Sequence, residues 1–157
     1  MPIPGRNSHG MSSMKDKNME GKFFLDTNVF VYSFDHSKKR EAALELIKKA
    51  HTRNGCISYQ VIQEFINVAL KKFERPVRHS DLQQYLHKVL FPICEVFPSE
   101  KLYTETLDIS ERWKYSFYDS LIIASALEAQ CNILYSEDLQ HNQKIRNMII
   151  VNPFIKL

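Results

Sequence analysis

Short apolar runs alternate along this chain with longer segments in which apolar residues recur every three or four positions. Short apolar runs are typical of buried strands, and the longer periodic segments indicate amphipathic helices. The predicted strands are Phe23–Asp26, Cys56–Ser58, Cys94–Phe97, Asn132–Tyr135 and Ile149–Val151. The predicted helical segments are a turn over Asn28–Asp35, then Lys39–His51, a helix capped by Ser58 and running to about Lys72, Asp81–Val89, Leu102–Lys114 and Tyr118–Gln130.

This order predicts an α/β fold. Strands that alternate with helices form a parallel sheet whose two faces are both covered. We therefore expect a three-layer α/β/α sandwich with a central, mostly parallel sheet, built by residues 22–157 as a single domain. Residues 1–21 hold three of the four glycines and have no apolar periodicity, so disorder is expected there. An expression tag is compatible with part of that segment, and Met1, Met11, Met14 and Met19 remain alternative native starts.

Composition narrows the class of protein only slightly. The formal net charge of +3 does not by itself establish nucleic-acid binding. The three cysteines are far apart and form no CxxC motif, as expected for reduced thiols in a cytoplasmic protein. No apolar run approaches the roughly 20 residues of a membrane span, and no signal-peptide core precedes the folded part.

Four acidic residues adjoin apolar segments, namely Asp26, Glu64, Asp119 and Asp138. Burying a carboxylate is costly unless it is hydrogen-bonded, paired or bound to a metal. Asp26 and Asp138 follow predicted strands, and the carboxyl ends of parallel strands meet at one edge of a sheet. Asp119 begins a helix expected to face that edge. Glu64 lies on the inward face of a different helix, the one that runs to about Lys72. The sequence therefore predicts an acidic pocket suited to Mg²⁺ or Mn²⁺.

Each acid also has a simpler explanation. Asp26 fits an Asx-type turn, Glu64 an ion pair with Lys71 or Lys72, Asp119 a helix N-cap, and Asp138 a polar turn after a strand. The occurrence of all four in this order, each on a suitable element, favours a shared site.

In these motifs the chain resembles the PIN-domain nucleases, particularly the bacterial VapC-like toxins, over about residues 22–154. The matching segments are Asp26-Thr27-Asn28, Ser58-x-Gln60-Val61 before Glu64, Asp119 at the start of an Ile/Ala-rich helix, Ser136-Glu137-Asp138 and the closing Asn152-Pro153-Phe154. The chain departs from the pattern at Asn142, where near relatives often carry glycine. That difference concerns a loop near the site.

The resemblance implies a metal-dependent endoribonuclease that leaves the phosphate on the 5′ side of its product. It also implies a toxin with a cognate antitoxin and a homodimeric state. Asp26, Asp119 and Asp138 are the expected Mg²⁺ or Mn²⁺ ligands, directly or through water, and Glu64 completes the set or positions a water. Thr27, Asn28 and Ser136 are expected to orient the acids through hydrogen bonds, although capping and turn roles suit them equally.

Substrate phosphates require cations. Lys71, Lys72 and Arg75 belong to the better candidate cluster, because they follow the Glu64 helix; Lys38-Lys39-Arg40 is a second cluster. Tyr59, Trp113 and Tyr115 suit either base stacking or ordinary packing. The apolar helices around Leu44–Ile47 and Val61–Leu70 are expected to offer surfaces to a second subunit or an antitoxin.

Two other functions remain open on the sequence. The first is a phosphoryl-transfer or signalling domain with an acidic Mg²⁺ pocket, although a haloacid-dehalogenase-like site would need an acid where this chain has Asn28. The second is a non-catalytic PIN-like module that only binds RNA. The identity of the RNA and the number of metal ions are also left open.

Overall fold

The computed structural model describes residues 21–156. They form a central six-stranded sheet with helices on both faces, which confirms the predicted three-layer α/β/α fold. The disorder expected for residues 1–21 concerns a segment that, apart from Gly21, lies outside the described residues. No helix within residues 21–156 is both long and apolar enough to span a bilayer.

The sheet is parallel except at one edge. Its strands are β1 Phe23–Leu25, β2 Gly55–Ser58, β3 Cys94–Val96, β4 Ile133–Tyr135, β5 Lys144–Ile145 and β6 Met148–Val151. Their order across the sheet is β3-β2-β1-β4-β6-β5, and only β5 runs antiparallel to its neighbour β6. The two-residue β5 was not predicted, because so short a segment carries no measurable alternation.

The helices are α1 Thr27–Tyr32, α2 Lys39–Thr52, α3 Tyr59–Lys71, α4 His79–Tyr85, α5 Glu100–Trp113 and α6 Phe117–Glu128. Helix α4 continues as a π-helical turn over Leu86–Leu90 and a 3₁₀ turn over Phe91–Ile93. Helix α1 contacts both α2 and α3, and α5 contacts α6. These two groups supply the helical layers that cover the sheet.

Two helices begin earlier than predicted because serine side chains cap them. The Ser99 hydroxyl accepts a hydrogen bond from the Leu102 amide at 3.1 Å, so α5 begins at Glu100 rather than at Leu102. The Ser116 hydroxyl accepts the Asp119 amide at 3.2 Å, so α6 begins at Phe117 rather than at Tyr118. Asp119 is therefore the third residue of its helix and not its N-cap, which leaves its carboxylate free of a capping role.

Two further boundaries differ from the predictions. Helix α1 ends at Tyr32 rather than at Asp35, and Ser33 closes it through its amide and its hydroxyl, both bonded to the Phe30 carbonyl. Strand β2 begins at Gly55, one residue before the predicted start at Cys56. A Cβ at Gly55 would lie 2.4 Å from the Ala50 Cβ and 2.7 Å from the Phe23 ring, so only glycine fits this crossing of α2 and the sheet.

Strand β1 lies where the direction of strand addition reverses. Its neighbours are β2 on one side and β4 on the other, and Leu25 stands opposite Tyr135. In open parallel sheets, the crevice for ligands lies beyond the carboxyl ends of strands at such a point. The residues that follow β1 and β4, Asp26 and Ser136, therefore meet at the expected place.

Candidate functional site

Asp26 is the most buried acid of the site, with 6% of its surface exposed. It ends β1 and caps α1: one carboxylate oxygen accepts the Thr27 amide at 2.7 Å, and the other accepts the Ser136 hydroxyl at 2.7 Å. Burial, which is the largest cause, and the charges of Glu64 and Asp138 together raise the pKa of Asp26 to about 7, although these two hydrogen bonds lower it. A cation at this carboxylate would favour its ionised form.

The turn after β4 joins Asp26 to Asp138. Ser136 is fully buried, and its hydroxyl, which donates to Asp26, accepts the Asp138 amide at 3.2 Å. Asn28 donates a side-chain hydrogen bond to the Asp138 carboxylate, also at 3.2 Å. The residues that follow β1 and β4 thus hold each other in place across the sheet edge.

The same turn is anchored on its other side by Lys39. The Lys39 ammonium forms an ion pair with Glu137 and lies 3.3 Å from the Tyr32 hydroxyl. It also lies 4.4 Å from the centre of the Tyr32 ring. One member of the predicted Lys38-Lys39-Arg40 phosphate cluster is therefore engaged in positioning the turn that carries Asp138.

Glu64 joins the network from α3. Its carboxylate accepts the Thr27 hydroxyl at 2.6 Å and the Gln60 side-chain amide at 2.8 Å. Within residues 21–156, neither Lys71 nor Lys72 forms the ion pair with Glu64 that the sequence allowed. The inward orientation inferred from helical spacing agrees with these contacts.

Gln60 is a site residue that sequence reasoning did not single out. It is 3% exposed, and its amide donates both to Glu64 and to the Tyr118 carbonyl, at 3.1 Å. Gln60 thereby ties α3 to the first turn of α6. The only sequence signal was its place in the family-like segment before Glu64, where a glutamine in an apolar helix carries no distinguishing pattern.

Among residues 21–156, the Asp119 carboxylate is not part of the hydrogen-bond network that links the other three acids. Asp119 is half-buried, and its carboxylate receives no hydrogen bond from any residue within 21–156. The neighbouring charges that raise the pKa of Asp26 are those of Glu64 and Asp138. Hydrogen bonds therefore connect Asp26, Glu64 and Asp138, whereas Asp119 follows Tyr118, whose carbonyl accepts a hydrogen bond from Gln60.

The predicted substrate cations lie farther away. Lys71 ends α3, about 10 Å along the helix axis from Glu64, given a rise of about 1.5 Å per residue. Lys72 and Arg75 line a cleft of about 730 Å³ whose aromatic walls include Tyr32, Phe34 and Phe73. None of these three cations contacts an acid of the site. Their cleft adjoins it through Tyr32, which contacts Lys39.

The side chains of the site suit a hard cation in their chemistry. Every candidate ligand is an oxygen, and the Asn28 side-chain carbonyl is buried without a hydrogen-bond partner in the described part of the chain. Among residues 21–156, no three acidic, histidine or cysteine side chains are close enough together to hold an ion by themselves. Mg²⁺ commonly takes one or two carboxylates and keeps several waters, so this arrangement fits it.

The backbone conformation at Asn142 explains how this chain can carry asparagine where near relatives often carry glycine. Asn142 has φ of 67°, in the left-handed region, and its amide donates to the Ile150 carbonyl at 2.8 Å. Glycine is favoured in this conformation, and asparagine tolerates it better than most other residues. The chain thus keeps the turn without the glycine.

Comparison with known proteins gives consistent results. A family model described as "PIN domain" matches residues 23–145. No curated protein matches in sequence. A toxin–antitoxin complex from Klebsiella pneumoniae superposes with a TM-score of 0.63 at 16% identity, over 85% of this chain and 98% of the other.

Two further solved structures are similar in fold. VapBC2 from Rickettsia felis, bound to a DNA fragment from its promoter, gives a TM-score of 0.56 at 21% identity over 82% of this chain and 96% of the other. VapC20 from Mycobacterium tuberculosis, described as a sarcin-ricin loop cleaving toxin, gives 0.56 at 14% identity over 74% and 90%. At such identities these likenesses establish the fold alone.

Proposed function

This chain belongs to the PIN-domain family, and we propose that it is a metal-dependent endoribonuclease acting as the toxin of a toxin–antitoxin pair. The observation that carries this proposal is the buried Asp26, whose two oxygens are oriented by Thr27 and Ser136. Glu64 and Asp138 lie close enough to raise its pKa. A group of repelling carboxylates on a rigid edge is suited to a divalent cation.

The residues divide into two roles. Asp26, Asp119 and Asp138 supply oxygen ligands, directly or through water, and Glu64 completes the set or positions the attacking water. Thr27, Asn28 and Ser136 hold these acids in place through the hydrogen bonds described above. A bound Mg²⁺ or Mn²⁺ would lower the pKa of a water molecule and neutralise charge on the scissile phosphate.

Lys71, Lys72 and Arg75 are proposed to contact the RNA backbone beyond the bond that is cut. Their support is the cleft that Lys72 and Arg75 line, whose wall includes Tyr32, the residue that contacts Lys39. Contacts with phosphates should make RNA binding fall with rising salt. The cytoplasm, where RNA and reduced thiols coexist, is the proposed location.

The proposed partners are an antitoxin and a second copy of the chain. The similar structures include toxin–antitoxin complexes, which supports the first. Most apolar side chains of the helices expected to offer these surfaces are buried in the core, namely Leu46, Ile47, Val61, Ile62, Phe65 and Ala69. Leu44, which is 46% exposed, remains accessible on α2.

Co-purification with the product of the adjacent reading frame, and suppression of RNA cleavage by that product, tests the antitoxin. Light scattering at micromolar concentration tests the dimer.

Cleavage of single-stranded RNA tests the central activity. We expect cutting with Mg²⁺ or Mn²⁺, and no cutting in EDTA. Asp26→Asn and Asp119→Asn should each abolish it, because each removes a charged ligand. Asp81→Asn, an exposed acid on α4, is the matched control and should cut like the wild type.

Two results would contradict the proposal. Robust cutting in excess chelator would exclude the metal-dependent mechanism. Metal-dependent RNA binding without any cutting would instead identify a non-catalytic PIN-like module.

A further inference from the structure

Four aromatic rings line the surface beside Asp119. This aromatic patch consists of Tyr59 on α3, Tyr103 on α5, and Phe117 and Tyr118 in the first turn of α6. The Tyr59 and Tyr103 hydroxyls lie 3.0 Å apart. The Tyr103 and Phe117 ring centres lie 6.5 Å apart with an angle of 18° between planes, and the Phe117 and Tyr118 centres lie 5.3 Å apart. The rings therefore form one continuous surface.

The patch is exposed although its members are large. Tyr118 is 67% exposed, Phe117 40% and Tyr103 39%. By contrast, the Tyr32 ring on the other side of the site is covered by the Lys39 ammonium. Rings held by their neighbours but open to solvent leave π-faces free for a planar ligand.

The patch begins where the carboxylates end. Tyr118 directly precedes Asp119, so their Cα atoms lie about 3.8 Å apart. The Tyr118 carbonyl accepts a hydrogen bond from Gln60, whose amide also donates to Glu64. A phosphate held at the carboxylates would therefore place the base of a neighbouring nucleotide over this surface.

One exposed cation lies close to the patch along the chain. Lys114 is the C-cap of α5, two residues before the Ser116 cap of α6. It is exposed, and it forms no ion pair within residues 21–156. Exposed aromatic rings beside a free cation are suited to binding single-stranded nucleic acid.

We propose that the aromatic patch is a base-stacking subsite for single-stranded RNA, holding unpaired nucleotides next to the bond cut at the carboxylates. This inference rests on the proposed function and deepens it, because it defines the substrate as RNA whose bases are unpaired. A second copy of the chain is the rival occupant. It is disfavoured because a subunit seated on Tyr118 would also shield the adjoining Asp119.

The test compares RNA with and without bases. Full-length protein carrying Asp26→Asn, which prevents cutting, is titrated in Mg²⁺ against a fluorescent single strand of about ten nucleotides, and against an abasic ribose-phosphate chain of equal length. Tyr118→Ala is expected to weaken binding of the base-bearing strand about fivefold or more, since stacking contributes about 1–3 kcal/mol per base. It should leave binding of the abasic chain unchanged. Tyr118→Phe should restore the loss.

Leu107→Ala is the matched control, because Leu107 is 61% exposed on α5 but offers no ring. It should bind RNA like its parent. Equal weakening by Leu107→Ala and Tyr118→Ala, equal binding of the two strands, or binding of neither would overturn the proposal. Conversion of a dimer to a monomer by both substitutions, seen by sedimentation, would assign the patch to a second copy. If the wild type cuts no RNA but base-dependent binding persists, the nuclease proposal fails and the subsite stands.

Discussion

The sheet side and the helix side of the candidate site are built differently. On the sheet side, Asp26 and Asp138 follow strands and are fixed by hydrogen bonds from Thr27, Asn28 and Ser136. On the helix side, the amide of Asp119 is capped by Ser116, but its carboxylate has no hydrogen-bond partner within residues 21–156. The sheet side is thus organised before any ligand arrives.

The two sides therefore differ in their energetic cost to the metal-free protein and in their accessibility to ligands. The sheet-side network holds Asp26 where its charge is unfavourable, as its raised pKa shows. The helix side leaves Asp119 half-buried next to the exposed Tyr118, where a cation, waters and substrate can complete the site. Substitutions on the sheet side should therefore change the stability of the metal-free protein, whereas Asp119 substitutions should change activity alone.

The largest effect on stability is expected for Asp26→Asn in EDTA. Because the folded-state pKa of Asp26 is about 7, above the ordinary 3.8, folding retains a proton that the unfolded chain releases. Stability should therefore be fully present below about pH 4 and be lost as pH rises towards 7, by on the order of 4 kcal/mol. Asp26→Asn should remove most of this loss, as measured by urea unfolding between pH 4 and 8.

Asp119→Asn is the control for that experiment. It should leave most of the pH dependence in place, since burial of Asp26 is the largest cause of its raised pKa. If both variants flatten the profile equally, the division between the two sides is wrong.

Ser136→Ala is expected to have the next largest effect. It removes the hydroxyl that donates to Asp26 and accepts from Asp138, so we expect a loss of about 1–3 kcal/mol in the free energy of unfolding at neutral pH. Ser125→Ala is the matched control: Ser125 is also fully buried, but its hydroxyl has no partner in the described part of the chain. It should be neutral or stabilising. A Ser125→Ala variant as unstable as Ser136→Ala would show that burial alone, and not the network, explains the loss.

Thr27→Val should have a smaller effect. The substitution keeps the shape of Thr27 but removes its hydrogen bond to Glu64, which should cost about 1 kcal/mol. Thr27→Ser keeps the hydroxyl and should retain metal-dependent cutting better than Thr27→Val does. Equal cutting by the two variants would mean that Thr27 does not orient Glu64.

The smallest effect on stability is expected for Asp119→Asn itself. With no partner to lose, it should change the free energy of unfolding by no more than about 0.5 kcal/mol, while RNA cleavage is lost. A Tm measurement in EDTA checks the expected stability, and the cleavage assay checks the expected loss of activity. A large destabilisation would reveal a structural role for the carboxylate.

The sheet side was predictable because it depends on strands. Asp26 directly follows a buried run, and the carboxyl ends of parallel strands meet in space, so its meeting with the turn after β4 follows from topology. The sequence analysis also identified burial of a carboxylate as costly, and burial is the largest cause of the raised pKa of Asp26.

The helix side was less predictable because it depends on side chains that local patterns do not mark. Asp119 suits an N-cap, and only the structure shows that Ser116 fills that role. Gln60 looks like any glutamine in an amphipathic helix. Of the aromatic residues considered for stacking, only Tyr59 lies in the aromatic patch. The Tyr115 hydroxyl instead forms hydrogen bonds with the Gln143 side chain and the Gln140 amide. These partners lie in a turn that is distant in sequence, so local patterns did not predict the contacts.

Stabilisation of the folded protein by Mn²⁺ shows whether Asp26 belongs to a divalent-metal site. Binding only to the folded state adds about 2.7 kcal/mol at 100 times Kd, so Mn²⁺ should raise the Tm of the wild type and of Asp81→Asn by several degrees. In Asp26→Asn this rise should be much smaller. An equal rise in wild type and Asp26→Asn would place the ion elsewhere and contradict the account.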